Sequence, residues 1–437
     1  MRANLTRLPI KIAAACAALS LAPAQTDRIV GGSQPGSYAT LAAAVAAAAP
    51  GDRILIAQDM TVLTTITLNK ALRIESAPGP RRSISFINAS FSAATPLFSI
   101  TALPAGASLE LANLAIDVST MGLGSFAMRT ASPQLGEVRF DGVTMLDLNG
   151  WRIGVLVDLT VGSAWIRNCS FTQRDQPQDG ACPDGTAWGN AGGCLRVRAQ
   201  RLVIEDSTLR AASGAWIYSH PDNCFGCIPG PTYVMNSPRG GFALDANTTD
   251  TFLVRVRTSD GNGGGAQPPL PPCGSYGIPA PAGASTFHGL GGTLHAFDFV
   301  HEWGVAGTLS AMSPPFDAPR GLVTQFGYAT APLRLLGNAQ LGGGIQANVS
   351  GPGISLLAMA FAWSPTNTPI GRIAFDPLQE HFTFVVFTPT PPSTQSWNVP
   401  NDPFLNGLPI VTQLFPFDPT SGAWRASNPS GVFLQRP

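Results

Sequence analysis

Five short stretches of the chain follow one pattern: Phe86-Ile87-Asn88-Ala89-Ser90-Phe91, Leu111-Ala112-Asn113-Leu114-Ala115-Ile116, Phe140-Asp141-Gly142-Val143-Thr144-Met145, Ile166-Arg167-Asn168-Cys169-Ser170-Phe171 and Ile204-Glu205-Asp206-Ser207-Thr208-Leu209. The first and last columns are apolar. The third reads Asn88, Asn113, Gly142, Asn168 and Asp206, the residue types that tolerate a left-handed backbone. First-column residues lie 25, 29, 26 and 38 positions apart, and the longest interval holds the cysteine-bearing stretch 172–193. A strand, a one-residue left-handed corner and a second strand, recurring about every 25 residues, is the pattern of a stacked coil whose turns bury a continuous interior. The expected class is all-β: a right-handed parallel β-helix, or solenoid, followed by a smaller antiparallel β-sandwich.

Upstream, GSYATLAAAVAAAA from Gly36 to Ala49 reads as an alanine-rich helix with a Ser/Thr cap signal. Pro50-Gly51-Asp52 turns it into a strand at Arg53–Ala57, with short strands following at Thr65–Leu68 and Leu72–Glu75. At the N-terminus, Arg2, Arg7 and Lys11 precede an apolar run from Ile12 to Leu21 and the small-residue pattern Ala22-Pro23-Ala24. This pattern reads as a secretory signal over residues 1–24, expected to be cleaved before Gln25; the alternative is a lipoprotein signal acylated at Cys16. No other segment has 18 consecutive apolar residues, so no transmembrane segment is expected after cleavage.

Composition narrows the function classes. The 437 residues carry 26 basic and 26 acidic side chains, and only 12% are charged. Such a balance provides no basic surface for phosphate backbones, so nucleic acid is excluded as the expected partner. At 44% hydrophobic the chain can bury a large core. Lys11 and Lys70 are its lysines; the other basic residues are arginines, which favour bidentate contacts to carboxylates.

Without Cys16 the chain keeps six cysteines, Cys169, Cys182, Cys194, Cys224, Cys227 and Cys273, which an exported protein is expected to oxidise to disulfides. The competing arrangement is a zinc site of His220, Cys224 and Cys227, completed by Cys182 or Cys194. A looser cluster of His288, His295 and His301 beside Asp298 and Glu302 matches no compact ligand motif, and no metal is assigned. No Gly-x-Ser-x-Gly elbow accompanies the histidines.

From about Gln25 to Arg257 the chain resembles the secreted pectin-lyase-like β-helix proteins, and SYATLAAAVAAAAPGD resembles their N-terminal capping helix. The resemblance implies an internal asparagine ladder of Asn88, Asn113 and Asn168. It also argues against glycosylation at Asn88-Ala89-Ser90 and Asn168-Cys169-Ser170, whose asparagines would then be buried. A further strand precedes each aligned one. Alternation turns Val155, Val157, Leu195, Val197, Phe242 and Leu244 inward and Asp158, Arg196, Arg198 and Asp245 outward. Arg129, Tyr218 and His220 extend that outward strip, whose guanidinium, carboxylate and aromatic groups suit sugars.

In the resembling lyases aspartates hold calcium and an arginine or lysine is the base; the hydrolases use clustered aspartates. Neither local signature is present, so Asp158, Arg198 and Asp245 are weak catalytic candidates. Arg129, Arg196, Tyr218 and His220 are candidates for carbohydrate binding. The expected function is a non-catalytic extracellular or cell-envelope protein that binds a polysaccharide or envelope glycan, or has a structural or adhesive role. The alternative is a polysaccharide lyase or glycoside hydrolase acting on an acidic polysaccharide; calcium is expected only there, and otherwise no cofactor.

Residues 25–325 form the expected β-helix, interrupted by a Gly/Pro-rich loop at 260–285. Residues 332–437 read as a β-sandwich with strands at Gly344–Val349, Ile354–Phe361, Gly371–Phe375 and Thr383–Phe387. LRLLGNAQLGGGIQANVSG, WNVPNDPFLNGLPIVTQLFPFD and Ser427-Asn428 resemble an uncharacterised C-terminal module of secreted bacterial proteins, including those of planctomycetes. That resemblance implies attachment or sorting at the cell exterior. Trp363, Trp397 and Trp424 are expected to pack within the module rather than form a sugar platform.

Overall fold

The computed structural model describes residues 26–87, 95–118, 126–147, 155–174, 193–213, 241–259, 293–297, 299–302, 322–324, 333–336, 340–350, 353–361, 366–368, 371–378, 381–388, 393–402, 405–406 and 408–434. These divide into two compact units, one of Thr26–His295 with Phe299–Thr324, the other centred on residues 325–437. The signal segment and the Gly/Pro-rich loop lie outside the described residues.

The first unit is built from parallel strands in a curled fourteen-stranded sheet and a second, eight-stranded sheet. One coil shows the plan: Val157–Thr160, Ser163–Arg167 and Ser170–Gln173 follow one another, and each pairs in parallel with its counterpart in neighbouring coils. The three positions define faces A, B and C. Leu195–Glu205 and Leu244–Val254 run unbroken through faces A and B, so these faces form one curled sheet. The arrangement is compatible with a β-helix or solenoid.

Register shows how the repeat is placed. Ile74, Leu111, Phe140, Ile166, Ile204 and Leu253 pair in succession along face B, all buried. Ile84, Ile116, Met145, Phe171, Leu209 and Thr258 do the same along face C. The edge of one ring meets the face of another where Phe140 and Phe171 approach to 5.6 Å between centroids. The first aligned stretch is therefore misplaced: Phe86 pairs with Val62 and Val118 on face C, and the true counterpart of Leu111 is Ile74. A sixth repeat, Leu253-Val254-Arg255-Val256-Arg257-Thr258, escaped because arginine occupies its corner.

The corners are left-handed as expected, with φ of 48° at Asn113, 64° at Gly142, 52° at Asn168, 49° at Asp206 and 51° at Arg255. The internal asparagine ladder is not formed: Asn113 and Asn168 are exposed, and Asn88 lies outside the described residues. The bonds across the corner come from the backbone instead. The N–H groups of Asn113, Gly142, Asn168 and Asp206 donate to Asp141, Arg167, Glu205 and Val254 of the next coil at 2.8–3.1 Å. A left-handed residue turns its amide along the stack and its side chain outward, where Asn168 donates to Asp141 at 3.3 Å and Asp206 accepts from Arg255 at 2.7 Å. The argument that burial protects Asn168 from glycosylation falls with the ladder.

The helix spans Leu41–Ala47, with Leu41, Ala44 and Val45 buried; its cap, Thr40, accepts from the Ala43 N–H at 3.2 Å. Lys70 closes the other end, its Nζ 2.8 Å from the Ala48 carbonyl and 3.2 Å from that of Val45. Asp52 fastens this region, accepting from the backbone N–H of Thr26 (3.1 Å) and Ala49 (2.8 Å) and from Arg28 Nε (2.7 Å). Arg28 in turn donates to the Tyr38 hydroxyl. Burial opposes ionisation of Asp52, but these donors prevail and hold its pKa below the usual carboxylate value.

In the second unit Leu333–Leu336, Gly344–Val349 and Ser393–Asn398 form one antiparallel sheet. His381–Thr388, Gly353–Ala360, Pro409–Asp418, Ala423–Trp424 and Pro429–Phe433 form another. Leu333, Leu335, Ile345, Ala347 and Val349 share a core with Leu357, Met359, Ile410, Leu414 and Val432 of the other sheet. The Ser427-Asn428 pair ties the module together. Asn428 Nδ2 donates to the Leu333 carbonyl at 2.8 Å, its Oδ1 accepts from the Leu333 N–H at 3.3 Å, and Ser427 Oγ accepts from the Leu414 N–H at 3.2 Å. Trp397 packs against this core and Trp424 against Phe417, while Trp363 lies outside the described residues.

Candidate functional site

On face A, alternation sets the direction of the strip. Val157, Leu159, Leu195, Val197, Leu244 and Ala246 are fully buried, so the residues between them point away from the interior. Arg129 pairs with Asp158, Asp158 with Arg196, and Arg196 with Asp245, while Thr160 pairs with Arg198 and Arg198 with Asn247. Five of the residues singled out in the sequence are thus neighbours on successive coils. Ser99 and Thr67 continue the Arg129 column in the other direction. Tyr218 and His220 lie outside the described residues.

Charge in this strip is unevenly committed. Arg196 lies between two carboxylates, with Nε 2.8 Å from Asp245 Oδ2 and Nη1 3.8 Å from Asp158 Oδ2. Its Cζ is 5.3 Å from the centre of the Phe242 ring. Phe242, expected to point inward, is half-buried; its ring covers Gly193 and leaves no room there for a Cβ. Arg198 Nη1 stands 3.7 Å from Asp158 Oδ1, beyond hydrogen-bond reach, and half of its side chain is exposed. Arg129 is exposed, with its Cζ 4.9 Å from the centre of the Phe126 ring.

The donor set does not fit calcium. Asp158 and Asp245 are the strip's carboxylates, and a guanidinium occupies the place between them. No protein-family model matches the chain, and no curated protein matches it either. The strip's geometry is thus the ground on which any functional reading stands.

Cys169 and Cys194 are not in disulfides; both are free and buried. Their thiols point to carbonyls inside the fold, Cys169 Sγ to Arg167 at 3.0 Å and Cys194 Sγ to Phe171 at 3.3 Å. Burial pushes the Cys169 thiol up to about 12 and raises Cys194 likewise, so neither is a ready thiolate for oxidation or zinc. Cys182, Cys224, Cys227 and Cys273 lie outside the described residues, as does His288. His295 is buried and stacked on Phe252 at 4.4 Å, whereas His301 pairs with Thr258 on face C. Among the described residues no three His, Cys, Asp or Glu side chains gather as metal ligands.

A second charged array, on face B, was not foreseen. Arg73 Nη2 is 2.6 Å from Glu75 and Nη1 2.8 Å from Glu110, Arg53 is 2.7 Å from Asp27, and Arg139 pairs with Glu137. Burial pushes the Glu110 pKa up against the pull of Arg73 and Arg139. The signal for this array lies in Arg73-Ile74-Glu75 and Glu137-Val138-Arg139, where opposite charges flank an inward residue. Its guanidiniums already meet carboxylates, so it reads as a structural ladder.

Proposed function

We propose that the first unit is a right-handed parallel β-helix of the pectin-lyase-like kind and that the chain is exported. It acts outside the cell without catalysis, binding glycan through the outward strip of face A or serving an adhesive role. The observation that carries this reading is Arg196 between Asp158 and Asp245. A metal ion would need the place between the two carboxylates, whereas Arg196 stands there and holds Asp245 at 2.8 Å. What the strip offers is a set of donors and acceptors repeated at the coil spacing of ~4.8 Å, matched to sugar hydroxyls and carboxylates. The second unit supports attachment or sorting by the resemblance of its Leu333–Pro437 elements to modules of secreted bacterial proteins.

The competing reading, a lyase or hydrolase of acidic polysaccharide, draws on Arg198, whose half-exposed side chain stands beside Asp158. The test incubates the secreted protein with acidic and neutral polysaccharides, with and without calcium, and measures bound polymer, ultraviolet-absorbing unsaturated products and new reducing ends. Retained binding without products is the expected result. A calcium-dependent rise in unsaturated product that Arg198→Ala abolishes would establish the lyase and overturn the non-catalytic reading.

A further inference from the structure

We infer that Arg129 and Arg198 are the two points at which the strip receives anionic groups, and that the ion pair of Arg196 with Asp245 is a neutral brace between them. The ligand is then a linear glycan bearing oxyanions, carboxylate or sulfate, on sugars spaced to reach both arginines. This rests on the glycan-binding reading and goes beyond it by separating the residues that touch ligand from those that hold the strip in shape.

The separation follows from what each guanidinium already does. Arg196 donates to Asp245 at 2.8 Å and lays its face on Phe242, and only 29% of its side chain is exposed, with Asp158 3.8 Å away. An incoming anion would have to displace a carboxylate to reach it. Arg129 has its face over Phe126, which restrains it, but its edge makes no ion pair or hydrogen bond with any described residue. Arg198 is 49% exposed, and its one carboxylate neighbour among the described residues is 3.7 Å away, so its fork of donors also remains open.

Register then fixes the spacing. Arg129 and Arg196 pair with opposite sides of Asp158, so they are two coils apart, and Arg198 lies two residues beyond Arg196 on the same strand. At ~4.8 Å per coil and ~3.3 Å per residue, the two open arginines are anchored ~12 Å apart, diagonally across the strands. The two arginines thus stand on different coils and different columns, a layout that a linear polymer with repeated charges can follow. Ser99 and Thr67 beyond Arg129, and Asn247 beside Arg198, extend the path with hydroxyl and amide groups. With two open cations in the site, affinity falls with salt as for roughly two released counterions, far less steeply than on a nucleic-acid surface.

The experiment measures binding of the full secreted protein, by titration calorimetry, to polygalacturonate, dextran sulfate and neutral dextran. The first two separate a carboxylate from a sulfate ligand. Binding to one or both anionic polymers, with none to dextran, is expected. Arg129→Ala and Arg198→Ala should each weaken it about tenfold, and the double variant by about the product. Arg81→Ala, at an exposed arginine near a corner, should leave affinity unchanged, and matching thermal melts show that the variants are folded. Three outcomes overturn the inference while sparing the glycan-binding reading: equal binding to dextran, anionic binding that survives the double substitution, or galacturonic acid monomer competing as well as the polymer. Silence on all three polymers and on the wider polysaccharide panel overturns both.

Discussion

Replacing Asp52 with asparagine removes the charge from a carboxylate that accepts two backbone N–H groups and the Arg28 guanidinium. Asp52 is 4% exposed and Arg28 20%, so solvent screens the pair only partly. Ala49 N–H and Arg28 Nε meet one oxygen, Oδ2, and the Thr26 N–H meets the other, so an amide that keeps the first two sets its nitrogen against Thr26, donor against donor. Hydrogen bonds to charged groups contribute ~1.5–3 kcal/mol each; one lost at the low end, with the charge removed from the other two, gives ~2 kcal/mol. The loss should appear as faster amide hydrogen exchange in peptides covering residues 26–57, a local readout suited to a chain of two units. Its pH dependence identifies the cause. Asp52 has a folded pKa below the unfolded value near 3.8, so its contribution is fully present above that pH and disappears as pH falls through the folded pKa. The gap between parent and Asp52→Asn should therefore be wide at neutral pH and close on acidification. A gap that stays constant between neutral pH and ~pH 3, or never reaches ~1 kcal/mol, would refute the assignment of Asp52 as a charged clasp.

Phe171→Ala should cost ~3–5 kcal/mol in chemical unfolding of the first unit, because the ring is fully buried beside Phe140. Asn168→Gly should be nearly neutral, while Asn168→Val should cost ~1–2 kcal/mol, since the corner needs positive φ and the side chain is exposed; urea midpoints of the two variants decide this. Cys169 and Cys194 should resist a thiol reagent in the folded protein and react after denaturation, as mass spectrometry of the labelled peptides would show. Asn428→Ala should destabilise the second unit by ~2–3 kcal/mol by removing both bonds to buried Leu333, read from exchange in peptides covering residues 333–349.

The parallel stacking was legible because each coil must present an apolar residue at the same depth, and Leu111, Phe140, Ile166 and Ile204 do so beside the same left-handed corner. Phe86 misled because a face C strand has the same apolar-polar rhythm as a face B strand, and its spacing to Leu111 resembles a coil length. The direction of the corner asparagines was not legible, since left-handed φ fixes the backbone amide but composition does not say which side the side chain takes. For the strip, alternation placed Asp158, Arg196, Arg198 and Asp245 correctly outward. Only the folded chain shows that Arg196 is bound to Asp245 while Arg129 meets no carboxylate among the described residues, because such partners come from different coils.

The register along face B survives large changes in coil length. Phe140 to Ile166 takes 26 residues, Ile166 to Ile204 takes 38 and Ile204 to Leu253 takes 49, yet all four remain in line. The extra length enters between Gln173 and Leu195 and between Arg210 and Leu244, where the chain passes from face C back to face A. The strands on either side keep their register whatever number of residues separates them, so these two positions are natural insertion ports in the scaffold. A foreign peptide or small domain spliced there would be displayed along one edge at intervals of the coil pitch, ~4.8 Å or a multiple of it, making the unit a ruler for arraying guests.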